Sequence, residues 1–326
     1  MERRRFAWFV VAALAAPPLV GAQSGKKLWR VAYLGALSPE ASNAWFPAFR
    51  DGMRDLGYVE GRNLVIDQRL SHGDYRALPA LAAELAALKP DVFLTYGAEA
   101  AQAADKAGRA IPVVFANIQD PIASGVVASL ARPGGNITGL SDAHAASVTK
   151  RLELLKEALP ATTRVAVLWR PGNDSHSLQL KDLQAAAPTL GLAVLPLPVR
   201  NLAEIENAFV KLKAERASAV QLLGDALLTS HHGRIAQLAL ENRVASMYTL
   251  RAFANAGGFI AYGADFRDLF RRAAVYVDKI FKGARPADLP VEQAAKFDLV
   301  INLRTARAIG VTVPQGVVLR ADHVIQ

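Results

Sequence analysis

The chain has 326 residues, 52% of them hydrophobic and 21% charged, a globular composition that excludes a largely disordered or low-complexity chain. Its length suits two lobes of about 150 residues better than one small domain, and 38 Lys and Arg against 29 Asp and Glu give a net charge of +9. With no Cys, a disulfide framework, a thiolate zinc site, a cysteine nucleophile and a lipidated N-terminal cysteine are all excluded.

Arg3, Arg4 and Arg5 precede an apolar run from Phe6 to Ala16, which Pro17 and Pro18 break. Val20-Gly21-Ala22 then offers small or medium residues before a cut ahead of Gln23, the pattern of a cleaved export signal. The run is well short of the ~20 apolar residues that a spanning helix needs. Arg-Arg-Arg-Phe also resembles a twin-arginine signal; the general secretory route is preferred, and both stay open. Removing residues 1–22 takes away three Arg and one Glu and leaves +7. That excess is scattered, as at Lys211, Lys213, Arg216, Arg234 and Arg243. It reads as a solvated surface and not as a nucleic-acid stripe.

Beyond Gly25 the chain alternates strand and helix. Trp29 to Leu37 reads as a buried strand. Phe46, Phe49, Met53 and Leu56 recur at helical spacing, and Gly57 stops that helix. Leu64 to Leu70 is a second strand. Leu78, Leu81, Leu85 and Leu88 mark a helix that Pro90 ends. Val92 to Tyr96, Ala98 to Lys106 and Val113 to Ala116 continue as strand, helix and strand. A turn cluster, Arg132-Pro133-Gly134-Gly135-Asn136, and a short extended stretch, Ile137 to Ser141, interrupt the pattern. It restarts with a helix at Leu152, Leu155 and Leu159. Strands follow at Val165–Trp169, Ala193–Leu197, Ala219–Leu223, Val244–Tyr248 and Gly258–Tyr262, with helices between. Leu269, Ala273, Val277 and Ile280 form a long amphipathic helix, and Leu299–Ile301 and Val317–Leu319 are late short strands. Two rounds of this alternation predict two α/β lobes with parallel, doubly wound sheets. Binding sites in such sheets lie beyond the C-terminal strand ends, at helix N-termini.

Hydrolase and nucleotide signatures are missing. There is no G-x-S-x-G elbow, no H-E-x-x-H, and no G-x-G-x-x-G after the first strand. Gly134-Gly135-Asn136-Ile137-Thr138-Gly139 lacks the Lys of a phosphate loop. His231-His232 is the only His pair, and neighbours on a helix face different directions, a poor metal site. No cofactor is expected. Polar residues gather instead at the predicted strand ends: Ser38, Gln119, Asp120, Asn173, Ser175, Ser177, Asp225 and Asp265, with Trp169 and Tyr262 among the neighbouring aromatics. Helix N-termini can hold a carboxylate, a carboxylate can hold an ammonium, and an aromatic can cover an apolar side chain. The set fits a small zwitterion. Each Ser, Asn or Asp also fits the ordinary role of a helix cap. Asp225 is the candidate for the ammonium. Ser175 and Ser177 would face the carboxylate, with Ser38 and Gly97-Ala98 as the alternative.

Four segments carry a family resemblance: Phe49 to Tyr58, Leu130 to Gly139, Arg271 to Ile280, and Lys296 to Leu303. Over nearly the whole chain beyond the export signal, the sequence resembles ABC-transporter substrate-binding proteins, the group that includes periplasmic tryptophan and aromatic-amino-acid binding proteins. The resemblance implies a type I periplasmic-binding-protein fold with a hinge and central cleft. It implies residues 28–142 as the N-terminal lobe, completed by about 264–284, and residues 143–263 as the C-terminal lobe, completed by about 285–326. Crossings are expected near Ser141–Ala143, Tyr262–Ala264 and Ala284–Ala287. The protein would be a periplasmic, monomeric receptor that hands a small molecule to an ABC permease in the inner membrane, with no nucleic acid involved. A ligand-sensing protein and an exported α/β enzyme are the competing readings. Two departures stand out. Gly97-Ala98-Glu99 replaces the Gly-Thr-Pro common in the family, adding a negative charge, and Arg170-Pro171-Gly172-Asn173-Asp174 replaces a stretch that often repeats Asn-Pro.

Overall fold

A computed structural model describes residues 27–142 and 144–326. The expected export signal lies outside the described residues. The chain begins with β1 (Trp29–Gly35), α1 (Pro39–Asn43), α2 (Phe46–Asp55), β2 (Leu64–Leu70), α3 (Leu78–Ala87), β3 (Val92–Tyr96), α4 (Ala98–Ala107), β4 (Val113–Asn117) and β5 (Ile137–Ser141). The second round runs α5 (His144–Ala158), β6 (Arg164–Trp169), α6 (Asp174–Ala186), β7 (Ala193–Pro198), α7 (Leu202–Ala214), β8 (Ala219–Leu222), α8 (Ala226–Ser230), α9 (His232–Glu241), β9 (Ala245–Tyr248), α10 (Arg251–Asn255) and β10 (Ile260–Ala264). The C-terminal part adds α11 (Phe266–Phe281), β11 (Glu292–Gln293), β12 (Phe297–Asn302), α12 (Leu303–Ala308), α13 (Gln315–Val318) and β13 (His323–Ile325).

The strands form two sheets, ordered β11-β5-β4-β3-β1-β2 and β13-β12-β10-β9-β8-β6-β7. Among the described residues every pairing is parallel except β10 with β12. Central strands carry unbroken buried apolar runs because helices cover both faces, as at Val31 to Leu34 and Val113 to Ala116. The helix α2 ends where the sequence requires. Gly57 takes φ +89°, its N–H bonds the Arg54 carbonyl at 2.9 Å, and Tyr58 N–H bonds that of Met53 at 2.9 Å. Leu56, expected on the buried face, is exposed at that end.

After β10 the chain returns to the first lobe, where α11 packs on α2 through Gly52. A Cβ there would lie 2.8 Å from the Arg271 carbonyl oxygen. Passages between the sheets follow β5 and β10, and the third lies at Ala294–Lys296 instead of near Ala284–Ala287. The reason is pairing. Val291 N–H bonds Leu130 O at 2.7 Å, Glu292 and Gln293 pair with Leu140 and Ser141, and Ala294 N–H bonds Ser141 O at 2.7 Å. Gly283 and Pro286 only turn the chain after α11 within the first lobe. A second correction concerns Val317–Leu319. That apolar stretch carries the short helix α13, and the edge strand is β13, because three residues show no period that separates strand from helix.

Two passages are tied together by Arg151, which is 1% exposed. Its guanidinium donates to Ser147 Oγ at 3.1 Å and to the Tyr262 carbonyl of β10 at 3.2 Å. Burial pulls its pKa down to about 10, and the nearby Asp142 supports the charge.

Candidate functional site

Both sheets turn the C-terminal ends of their strands toward a common cleft, and the lobes meet across it directly. Ser38 N–H donates to Ser230 Oγ at 2.9 Å, and Gln179 Nε2 donates to Gln119 Oε1 at 3.2 Å. Gln119 Nε2 also donates to the Gly224 carbonyl. The lobes are therefore closed on one another. Between them remains a cavity of about 50 Å³.

The first lobe builds its wall from the ends of β3 and β4. Gly97 follows β3 at φ +89°, a left-handed conformation that turns the chain at once into α4. Ala98 and Glu99 open that helix and line the cavity, so first-turn N–H groups without an intrahelical acceptor lie at the wall. Asn117 ends β4 and Gln119 follows it. Asn117 is 4% exposed, and its Oδ1 accepts no hydrogen bond. Asp120 accepts from Ile122 and Ala123 N–H at 3.1 and 2.9 Å, the ordinary job of a turn carboxylate.

From the second lobe come Asn173, Ser175 and Asp225. Asn173 caps α6 by accepting from His176 N–H at 3.3 Å. Ser175 Oγ accepts from Gln179 Nε2 at 3.0 Å, leaving its hydroxyl hydrogen available. Buried His176 accepts the Arg170 N–H on Nδ1 at 3.0 Å and meets Gly224 O through Nε2 at 2.9 Å, so these bonds assign the neutral Nε2–H tautomer.

Charge concentrates at Asp225. Its side chain is 2% exposed and accepts three hydrogen bonds: Tyr75 Oη at 2.8 Å, Arg170 Nε at 2.8 Å and Leu227 N–H at 2.9 Å. The last caps α8. Arg170 reaches across the cleft to Glu99, and its guanidinium carbon sits 3.9 Å from the centre of the Tyr75 ring. Burial opposes ionisation of Asp225. The guanidinium and the hydrogen bonds from Arg170 and Tyr75 outweigh it and hold the carboxyl below its ordinary range. Burial likewise opposes the charge on Arg170, but Asp225, Tyr75 and Glu99 raise its pKa overall. Burial, reinforced by Asp225, keeps the Tyr75 phenol protonated.

Of the candidates read from sequence, Gly97, Ala98, Gln119, Asp120, Asn173, Ser175 and Asp225 converge on this cavity. The others lie elsewhere. Ser38 caps α1 and bonds across the lobes. Trp169 ends β6 and packs on the second lobe's core. Ser177 is exposed, its hydroxyl 3.5 Å from the Asn173 carbonyl. Tyr262 stacks on Phe297 at 5.8 Å beside the hinge. Asp265 caps α11. Sequence reasoning missed Tyr75 as a wall residue and Arg170 as the cation that ties the walls together. Tyr75 follows β2, a strand end that carries none of the candidate residues. Arg170 and Glu99 stand at strand ends and in the two departures from the family pattern; their opposite signs on opposite lobes are the available signal. Among the described residues no group of three or more His, Asp or Glu side chains is placed to hold a metal, and no helix is long and apolar enough to cross a membrane.

Residues 30–325 match the family described as ABC transporter substrate binding protein. The chain belongs to that family. It is 28% identical to a conserved domain protein from Vibrio cholerae, which covers 91% of this chain and 100% of that one with a TM-score of 0.85. It is 26% identical to a Streptococcus pneumonia ABC domain in complex with L-Trp, covering 91% and 99% of the two chains with a TM-score of 0.84. It is also 25% identical over 261 residues to a tyrosine-binding protein of Clostridioides difficile, 80% of this chain and 75% of the relative. These substrate-binding proteins are receptors for solutes and not enzymes.

Proposed function

We propose that this substrate-binding protein captures an amino acid or related zwitterion with an aromatic side chain and delivers it to an ABC importer. The observation that carries the reading is the cavity between the lobes. It sets acidic Asp225 on one side and the first turn of α4 on the other. An ammonium fits the carboxylate, and a ligand carboxylate fits the helix N–H groups together with the Ser175 hydroxyl, which lines the same cavity. Tyr75 and Tyr96 offer aromatic surface. Relatives named for L-Trp and tyrosine support the aromatic class. The basic start and apolar run ahead of Gln23 support export to the periplasm, with capture there as a monomer and release to an inner-membrane permease.

A thermal-shift screen of amino acids, sugars and small acids tests this reading. A ligand at a hundredfold excess over its Kd stabilises by ~2.7 kcal/mol. Aromatic amino acids should raise the melting temperature, and neutral sugars should not. Stabilisation by sugars alone would overturn the assignment.

A further inference from the structure

Arg170 engages three residues of the cavity wall, Tyr75, Glu99 and Asp225, as a ligand would. Its side chain is 11% exposed, and its guanidinium has an aromatic face beneath it and a carboxylate on either side. Two features show that this contact belongs to the closed state alone. Glu99 and Tyr75 come from the first lobe, whereas Arg170 and Asp225 come from the second. Hinge opening must therefore part the guanidinium from two of its three partners. The backbone of Arg170 is held by His176, so the side chain is a long tether on a fixed root. Space makes the same point. About 50 Å³ remains between the lobes, against the ~300 Å³ or more of a working small-molecule pocket.

We propose that Arg170 is a specificity-determining residue that acts as a tethered competitor: a ligand gains the closed cleft only by supplying a cation that replaces the guanidinium between Glu99 and Asp225 on Tyr75. The inference rests on the same cavity as the proposed function and names the chemistry it demands. A ligand with no cation leaves two carboxylates facing each other once Arg170 moves away, and it is rejected. An ammonium or guanidinium restores the charge balance, and unpartnered Asn117 Oδ1 adds an acceptor at the same wall.

The test uses methylguanidinium as the probe and no amino acid, so its outcome is independent of which solute the protein carries. Arg170→Ala opens a guanidinium-shaped space. Calorimetric titration should show this variant binding methylguanidinium at least about tenfold more tightly than the wild type. Adding Glu99→Gln should reverse that gain by about tenfold to a hundredfold, the range for a charge-assisted hydrogen bond. Should Arg170→Ala fail to fold, Glu99→Gln alone carries the test, since Glu99 lies at a helix start and the amide keeps its shape. Ligand-free scattering should then give a larger radius of gyration for Glu99→Gln than for the wild type. Equal probe binding by folded Arg170→Ala and wild type, indifference of that binding to Glu99, or equal ligand-free radii would each overturn the proposal.

Discussion

Asp225→Asn is the perturbation whose consequences the structure specifies most fully. Asparagine keeps an oxygen for the Leu227 N–H cap and for Tyr75, so α8 retains its N-cap. What it loses is the charge facing Arg170 Nε at 2.8 Å, and its amide can turn a donor toward that donor. Stripping one partner from a buried ion pair costs ~3–5 kcal/mol. Arg170 is not fully stripped, because Glu99 and the Tyr75 ring stay with it. The expected loss is therefore nearer that of one charged hydrogen bond, ~1.5–3 kcal/mol. A helix cap and an ammonium site, the two roles that the sequence offers Asp225, would leave the ligand-free stability nearly unchanged; the ion pair is what makes the difference. Urea unfolding of the ligand-free chain at pH 7 measures the loss. Opening of the cleft would let Arg170 reach water and would appear as a larger scattering radius in place of lost stability. Combining Asp225→Asn with Arg170→Gln should recover most of the loss, as expected for residues in contact. If Asp225→Asn changes stability by less than about 0.5 kcal/mol, the background for an uninvolved site, and leaves the radius unchanged, the pair does not form.

Asp225 also sets a pH dependence. Its folded-state pKa is lowered, so its contribution is complete above the unfolded value of ~3.9 and is lost as pH falls through the depressed folded value. The gap in urea midpoint between wild type and Asp225→Asn should be constant at pH 5–7 and shrink in that acid window; a gap that narrows on raising the pH would refute the sign. Gly263→Ala drives a Cβ to 1.9 Å from the Thr249 carbonyl oxygen, so strand β10 must shift, at a cost of ~1–3 kcal/mol or more in urea unfolding; wild-type stability would show that the backbones are not in contact. Ser175→Ala should weaken an amino acid more than its matching amine, whereas exposed Ser177→Ala should bind both normally. Equal titrations for Ser175→Ala would remove that hydroxyl from the ligand's carboxylate.

The alternating α/β pattern was legible because apolar runs and Gly or Pro stops act locally. Val92 to Tyr96 coincides with β3, and Leu269, Ala273, Val277 and Ile280 all face the interior of α11. The third passage was misjudged because its position depends on non-local pairing. Glu292 and Gln293 join the first sheet by bonding residues more than 150 positions earlier, which no turn signal encodes. In the site, residues at strand ends were found from topology alone. Ser177 and Asp265 show the limit of that reasoning: both sit at the correct helix starts but do not line the cavity. Tyr75 and Arg170 were hidden for a different reason. Each gains its role from a partner on the other lobe, and sequence order does not reveal which side chains meet across a closed cleft.

The central claim is that one aromatic zwitterion is held between the lobes with its ammonium on Asp225. Titration calorimetry of L-tryptophan, L-tyrosine and L-phenylalanine into the wild type and Asp225→Asn tests it most directly. At least one should bind the wild type at a single site, with affinity about tenfold to a hundredfold weaker in the variant, the worth of one charged hydrogen bond. Arg251→Ala, in a separate recess near the hinge, should bind like the wild type. No binding by any of the three amino acids, or equal affinity in wild type and Asp225→Asn, would contradict the account.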